Sequence, residues 1–235
     1  MIDRTLNYGR HHVRRFVAAS PGDDVLDIGA GTGVDLLAAR EVKPGARLQA
    51  VEVHPPAAAL LEAEGVRVHR VDLERERIPV PSASLDVVIA NQVLEHTKEI
   101  FWIFHEVTRV LRTGGHLIVG VPNLASLHNR LLLLAGRQPT AIQSHTAHVR
   151  GYTRGDLLKF VERAFPGGYA AAGFGGSNYY PFPGWMARPL AALFPSGAWG
   201  IFLRLRKERE YTREFIDFPA RERLETNFFL GPGGE

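Results

Sequence analysis

Residues Val25 to Gly33 read V-L-D-I-G-A-G-T-G, and no other stretch limits the fold of this chain so tightly. Val25, Leu26 and Ile28 make a short apolar run broken only by Asp27, with Gly29, Gly31 and Gly33 directly after it. Such a run, ending in glycines, fits the first strand of a parallel sheet, covered on both faces. Glycines let the backbone turn sharply and approach a ligand, and a helix starting near Val34 points free N–H groups at the same place. Spacing narrows the ligand further. The dinucleotide fingerprint is G-x-G-x-x-G/A, and here the third glycine comes one residue early. Asp27, two residues before the first glycine, repels a pyrophosphate but suits a cation or amino group. A zwitterionic, adenosine-bearing ligand meets these conditions better than a nicotinamide dinucleotide, which defines an oxidoreductase as the rival reading.

The strands that follow repeat the pattern. Arg47 to Val53 predicts a second strand that ends on Glu52, about twenty residues past the glycines, where a carboxylate accepts both hydroxyls of a ribose and rejects a 2′-phosphate. Val66 to Val71 predicts a third strand, followed by Asp72 and Leu73, and Val87 to Ala90 a fourth, followed by Asn91. Helices are expected over residues 5–19, Val34 to Glu41, Pro55 to Glu64 and Ile100 to Leu111, with His116 to Val121 as the fifth strand. Strands and helices in alternation give a doubly wound sheet whose ligand crevice lies at the carboxyl ends of the strands, where Gly29, Glu52, Asp72 and Asn91 converge.

Composition sets bounds. The chain has 235 residues and no cysteine, which excludes disulfides, thiolate catalysis and cysteine zinc sites. A net charge of +3 is too small to argue for nucleic acid, and the basic run Arg10 to Arg15 reads as a solvated helix face. The sequence has neither an apolar run of membrane-spanning length nor the build of a signal peptide at its start, so a cytoplasmic location is the expectation.

Asp27 to Gly33 resembles motif I, D-x-G-x-G-x-G, of the class I S-adenosylmethionine (SAM) dependent methyltransferases. Three further stretches are similar to that family: Asn91 to His96, matching x-x-x-L-E-H; Leu111 to Leu117, matching L-R-x-G-G-x-L; and His148 to Leu157, matching H-V-R-x-Y-T-x-x-x-L of bacterial glycan and lipid pathway members. The resemblance covers residues 5–165. It implies SAM as cofactor and S-adenosylhomocysteine as product. It implies a binding set of Arg10 on the SAM carboxylate, the turn Asp27, Gly29, Ala30, Gly31 and Gly33, Glu52 with Val53 on the ribose, Asp72 and Leu73 on the adenine, and Asn91. Members in the ubiquinone pathway carry E-x-x-E-H as a divalent metal site; here Gln92 stands for the first glutamate, so no metal is expected.

Beyond the core, the apolar stretch from Leu124 to Leu134 and the histidine-dense Gln143 to Arg150 lie in an insertion spanning residues 122–150, read as a substrate lid, with core packing as the alternative for the leucines. A second insertion spans 181–197, rich in proline and aromatics, packing on the lid or touching a lipid surface. Tyr169 to Tyr180 and Ala198 to Leu205 are expected as sixth and antiparallel seventh strands. The methyltransferase domain thus runs over 1–206 and a charged tail over 207–235, anchored by Phe215, Phe218, Phe228 and Phe229 over the lid or a neighbouring subunit. The expected reaction is methylation of an oxygen on a small-molecule, glycan or lipid-linked acceptor, with His145, His148 and His96 as candidate bases in that order. N-methylation and a non-catalytic SAM-binding or scaffolding role are the alternatives, and a homodimer stays open.

Overall fold

The structure, a computed structural model, describes residues 1–225 and 227–232. Its centre is a seven-stranded sheet in the order β3-β2-β1-β4-β5-β7-β6. The strands are β1 (Asp24–Ile28), β2 (Arg47–Val51), β3 (Arg67–His69), β4 (Leu85–Asn91), β5 (Leu111–Pro122), β6 (Tyr169–Ser177) and β7 (Gly200–Lys207). The first five pair in parallel, and β7 runs antiparallel to both of its neighbours. The helices are α1 (Arg10–Ala18), α2 (Val34–Val42), α3 (Pro55–Ala63), α4 (Ile100–Val110), α5 (Leu127–Leu134), α6 (Arg154–Ala164), α7 (Gly184–Leu193) and α8 (Glu214–Arg221). This is the expected Rossmann-like α/β architecture.

Two-residue alternation along the strands sorts the core into two layers. Val25, Val87, Ile89, Ile118 and Phe202 face α1, α2 and α3, while Leu26, Val88, Leu117, Val119 and Leu203 face α4, α6 and α8. Because Ile28 belongs to the second layer, Asp27 projects on the α1–α2 side of the sheet, a side otherwise closed by apolar groups.

Three segments differ from the sequence-based expectation. The fifth strand begins at Leu111, not His116, because pairing with β4 jumps from Leu85↔Leu111 to Val87↔His116, leaving Arg112 to Gly115 as a bulge within the strand. Gly115 is required there: a Cβ would sit 2.9 Å from the Asp86 carbonyl oxygen. The leucines of the first insertion are not core. Leu131, Leu133 and Leu134 are 57%, 56% and 84% exposed, so a strongly apolar helix presents its side chains outward. The tail packs on α4 and not over the lid. Phe215 and Phe218 of α8 are buried against Phe101 and Phe104 of α4, and Phe228 and Phe229 close on Phe101 and Trp102. Among the described residues no helix is long and apolar enough to cross a membrane.

Candidate active site

The β1–α2 turn is held open by backbone geometry. Gly29, Gly31 and Gly33 have φ of 64°, 53° and 79°, the left-handed region that only glycine enters at little cost. A Cβ on Gly29 would strike Val93 at 2.7 Å, and one on Gly33 would strike Leu61 at 2.4 Å, whereas nothing lies within 4 Å of the Gly31 position. Gly31 is therefore the open side of the turn, where backbone faces the cleft.

Around this turn lies a cavity of about 300 Å³ lined by Tyr8, Arg10, Asp27, Gly31, Asp35 and Asn91, with Ala30 also on its wall. Asp27 is 3% exposed, and no hydrogen bond to its carboxyl is found among the described residues. Burial, then repulsion from Asp35 and Glu52, pushes its pKa well above the ordinary carboxylate range. Burial likewise raises Asp35, although Asn91 Nδ2 donates to its Oδ2 at 2.8 Å. Asn91 Nδ2 also reaches the Tyr8 carbonyl at 3.0 Å, tying the chain's first turn to the edge of β4. Asp35 Oδ1 and Asn91 Oδ1 are buried without a partner. Two carboxylates disfavoured by burial, Asp27 and Asp35, and the orphan acceptor oxygens of Asp35 and Asn91 give the cavity a surplus of acceptors, with Arg10 as the cation on its wall.

Glu52 sits just past β2, where its carboxylate accepts the Gly31 N–H at 2.7 Å and the His54 N–H at 2.8 Å. It thus braces the glycine turn and holds an acceptor face between β1 and β2. Val53 beside it is 59% exposed. Asp72 lies three residues beyond β3 and outside the cavity. Its Oδ1 accepts the Glu74 N–H at 2.9 Å and its carbonyl accepts from Arg75 and Glu76, so it organises a turn, while Leu73 packs on the core. Arg10 lies with its guanidinium 4.8 Å from the Tyr8 ring centroid, and its charge is felt at Asp35.

Of the three candidate bases, the structure brings two together. The His96 and His148 rings meet edge to face at 4.8 Å between centroids, and His96 Nδ1 lies 3.3 Å from the Ala147 carbonyl, His148 Nδ1 3.0 Å from that of Ala141. A carbonyl only accepts, so each Nδ1 carries the hydrogen and each Nε2 keeps a lone pair able to take a proton. Burial lowers the His96 pKa, with the charge of His148 acting the same way, which keeps the ring neutral. His145 is exposed and stands outside this pair. Glu95, 1% exposed, joins it: one ligand atom from each of Glu95, His96 and His148 lies within 4.8 Å of the others. Both Glu95 carboxyl oxygens lack partners, and burial pushes its pKa up to about 7. These three could hold a metal ion, with His148 supplying in space the donor that Gln92 does not supply in sequence.

Asp35, Tyr8 and the approach of the 141–150 loop escaped sequence reasoning. Asp35 had a signal, an acid in the first turn of the helix that follows the glycines. Tyr8 had none, since its place depends on how the first turn docks against β4.

A nucleotide-type crevice lined with acid lies at the carboxyl edge of a doubly wound sheet in which β7 runs antiparallel between β5 and β6, an arrangement that fits the methyltransferase form of the Rossmann-like fold. Residues 26–119 match the family model described as a methyltransferase domain. The chain is 33% identical over 157 residues to a "Probable S-adenosylmethionine-dependent methyltransferase" of Mycobacterium tuberculosis, covering 64% of this chain and 53% of that one. It is 34% identical over 122 residues to an arsenite methyltransferase of Halobacterium salinarum, covering 48% of this chain and 31% of the other. The solved SAM-dependent methyltransferase of Archaeoglobus fulgidus shares the fold, with a TM-score of 0.60 at 16% identity over 86% of this chain and 94% of that one. These comparisons support a likeness to the class I SAM-dependent methyltransferases, carried by the domain match over residues 26–119 and by the shared fold. It spans between about a third and about half of the length of these two curated relatives, the matched shares being 31% and 53%.

Proposed function

We propose that this protein transfers the methyl group of SAM to an oxygen of a small-molecule, glycan or lipid-linked acceptor, with the His96–His148 pair as proton acceptor. The observation that carries this reading is the acid-lined cavity at the glycine turn. Its Asp27 carboxyl and the unpartnered Oδ1 of Asp35 suit the ammonium of the cofactor's amino-acid end, and Glu52 suits the ribose hydroxyls. Arg10 is the candidate partner for the carboxylate, and the Asp72–Leu73 turn for the adenine. Bound there, SAM supplies a methyl group already activated by the positive charge on its sulfur.

The protein's own task is alignment, exclusion of water and handling of one proton. An acceptor hydroxyl is a weak nucleophile at neutral pH, and its proton must leave as the oxygen attacks the methyl carbon and the carbon–sulfur bond breaks. A neutral imidazole with a free Nε2 takes that proton, and the buried Glu95 beside it offers the resulting imidazolium a counter-charge. Residues 122–150 serve as lid, since they bring His148 over His96, which follows the carboxyl end of β4.

The test is methyl transfer from radiolabelled SAM to candidate hydroxyl acceptors by the wild type and by the His96→Ala, His148→Ala and His145→Ala variants. Loss of about a hundredfold or more in turnover for either of the first two, with SAM affinity kept and with His145→Ala near wild type, supports the reading. Unchanged turnover in both removes the histidine pair from the chemistry.

A further inference from the structure

We propose that the carboxyl edge of the sheet docks on an anionic lipid surface through α5 and α7, so that the cleft faces an acceptor resident in that surface. The first observation is exposure. Besides the α5 leucines, Trp185, Leu193 and Phe194 of the second insertion are 77%, 72% and 62% exposed. α7 buries Ala187 and Ala191 inward and turns its large apolar groups outward, the reverse of a solvated surface helix.

The second observation is position. β5 and β6 end at the carboxyl edge of the sheet and antiparallel β7 begins there, so α5, which follows β5, and α7, which links β6 to β7, both stand at the edge that carries the glycine turn and Asn91. They form one surface. Leu127 and Arg130 of α5 line the same cavity, about 390 Å³, as Leu193 and Phe194. This layer connects to the cleft. Leu6 packs with Ala187 and Ala191, and two residues on Tyr8 lines the cofactor cavity.

The third observation is charge. From Pro122 to Gly155, and again from Arg163 to Lys207, the sequence contains no Asp or Glu. Arg130, Arg137 and Arg188 are distributed among the exposed apolar groups; Arg188 pairs with Asp3 at 3.9 Å, while no carboxylate partner of Arg130 or Arg137 is found among the described residues. Apolar side chains flanked by arginines in excess of carboxylates complement a layer of negative headgroups over a hydrocarbon interior. A water-facing helix face would carry acids and bases mixed.

The experiment is co-sedimentation of the full protein with vesicles of phosphatidylcholine alone and of phosphatidylcholine and phosphatidylglycerol in equal parts, at low and high salt, with tryptophan emission recorded. The expected result is binding to the anionic vesicles at low salt, a blue shift that Trp185→Phe removes, and about a tenfold loss in partition for Leu134→Glu/Phe194→Glu and for Arg130→Gln/Arg137→Gln. Circular dichroism and SAM affinity measured on the same variants separate a folding defect or a failed cofactor site from a failed surface. No partition into anionic vesicles, equal partition of wild type and variants, or a stable dimer that Leu134→Glu dissociates overturns the proposal, the last by giving the face to a second copy of the chain.

Discussion

At the scale of single residues, the cleft sets binding against stability. Asp27 is costly to ionise where it lies, because burial and two neighbouring carboxylates oppose its charge. Asp27→Asn therefore raises the unfolding free energy of the unliganded protein by about 1 kcal/mol at pH 8 and weakens SAM binding by tenfold or more, checked by thermal melts with and without cofactor. Glu95 behaves in the same sense. Its folded pKa of about 7 exceeds the unfolded value near 4.5, so its contribution is most favourable below pH 4.5 and is lost as pH rises through 7. Glu95→Gln accordingly stabilises the protein at pH 8 by roughly 2 to 3 kcal/mol relative to its effect at pH 4.5, read from denaturant unfolding at the two pH values. His12 works in the opposite direction: its Nε2–H donates to the Gly176 carbonyl at 2.8 Å, and burial lowers its pKa to about 4. Its contribution is complete above the unfolded value near 6.5 and is lost as pH falls toward 4, by roughly 2 to 3 kcal/mol, and a His12→Asn variant shows that much less acid sensitivity.

At the scale of elements, what was legible in the sequence depended on whether local chemistry alone decided it. The apolar runs at Val25 to Ile28 and Val87 to Ala90 had no alternative but a covered strand, and the start of α6 rests on equally local chemistry, the Asp156 N–H donating to Thr153 Oγ1 at 3.2 Å. The bulge at Arg112 to Gly115 was not legible, because a bulge is a property of two paired strands and not of either sequence alone. The placement of α8 was hidden for a related reason. Its phenylalanines announced an anchor, yet the aromatic floor of Phe101, Phe104 and Phe160 that receives them exists only after α4 and α6 have docked on the sheet. That packing makes the tail integral to the core. Phe215→Ala destabilises by about 3 to 5 kcal/mol in denaturant unfolding while leaving the cofactor cavity intact, since Phe215 lies in the layer opposite α1 and α2.

At the scale of the whole molecule, one edge of one sheet gathers the acid-lined cavity, the histidine pair and the two inserted helices. Six of the residues singled out from sequence, Arg10, Asp27, Gly29, Ala30, Gly31 and Asn91, meet there together with Asp35, and Glu52 reaches in to brace Gly31. The exposed His145 and the turn-forming Asp72 show the limit of such reading: spacing along the chain places a residue at an edge, and docking of neighbouring segments decides where its side chain goes. The account's central claim is that this cavity holds a zwitterionic adenosine ligand through its carboxylates. Titration calorimetry with SAM, S-adenosylhomocysteine and NADH measures it directly: saturable heat is expected for the first two, lost in Glu52→Ala, with none for NADH, whereas silence with SAM and S-adenosylhomocysteine, or binding of NADH in their place, contradicts it.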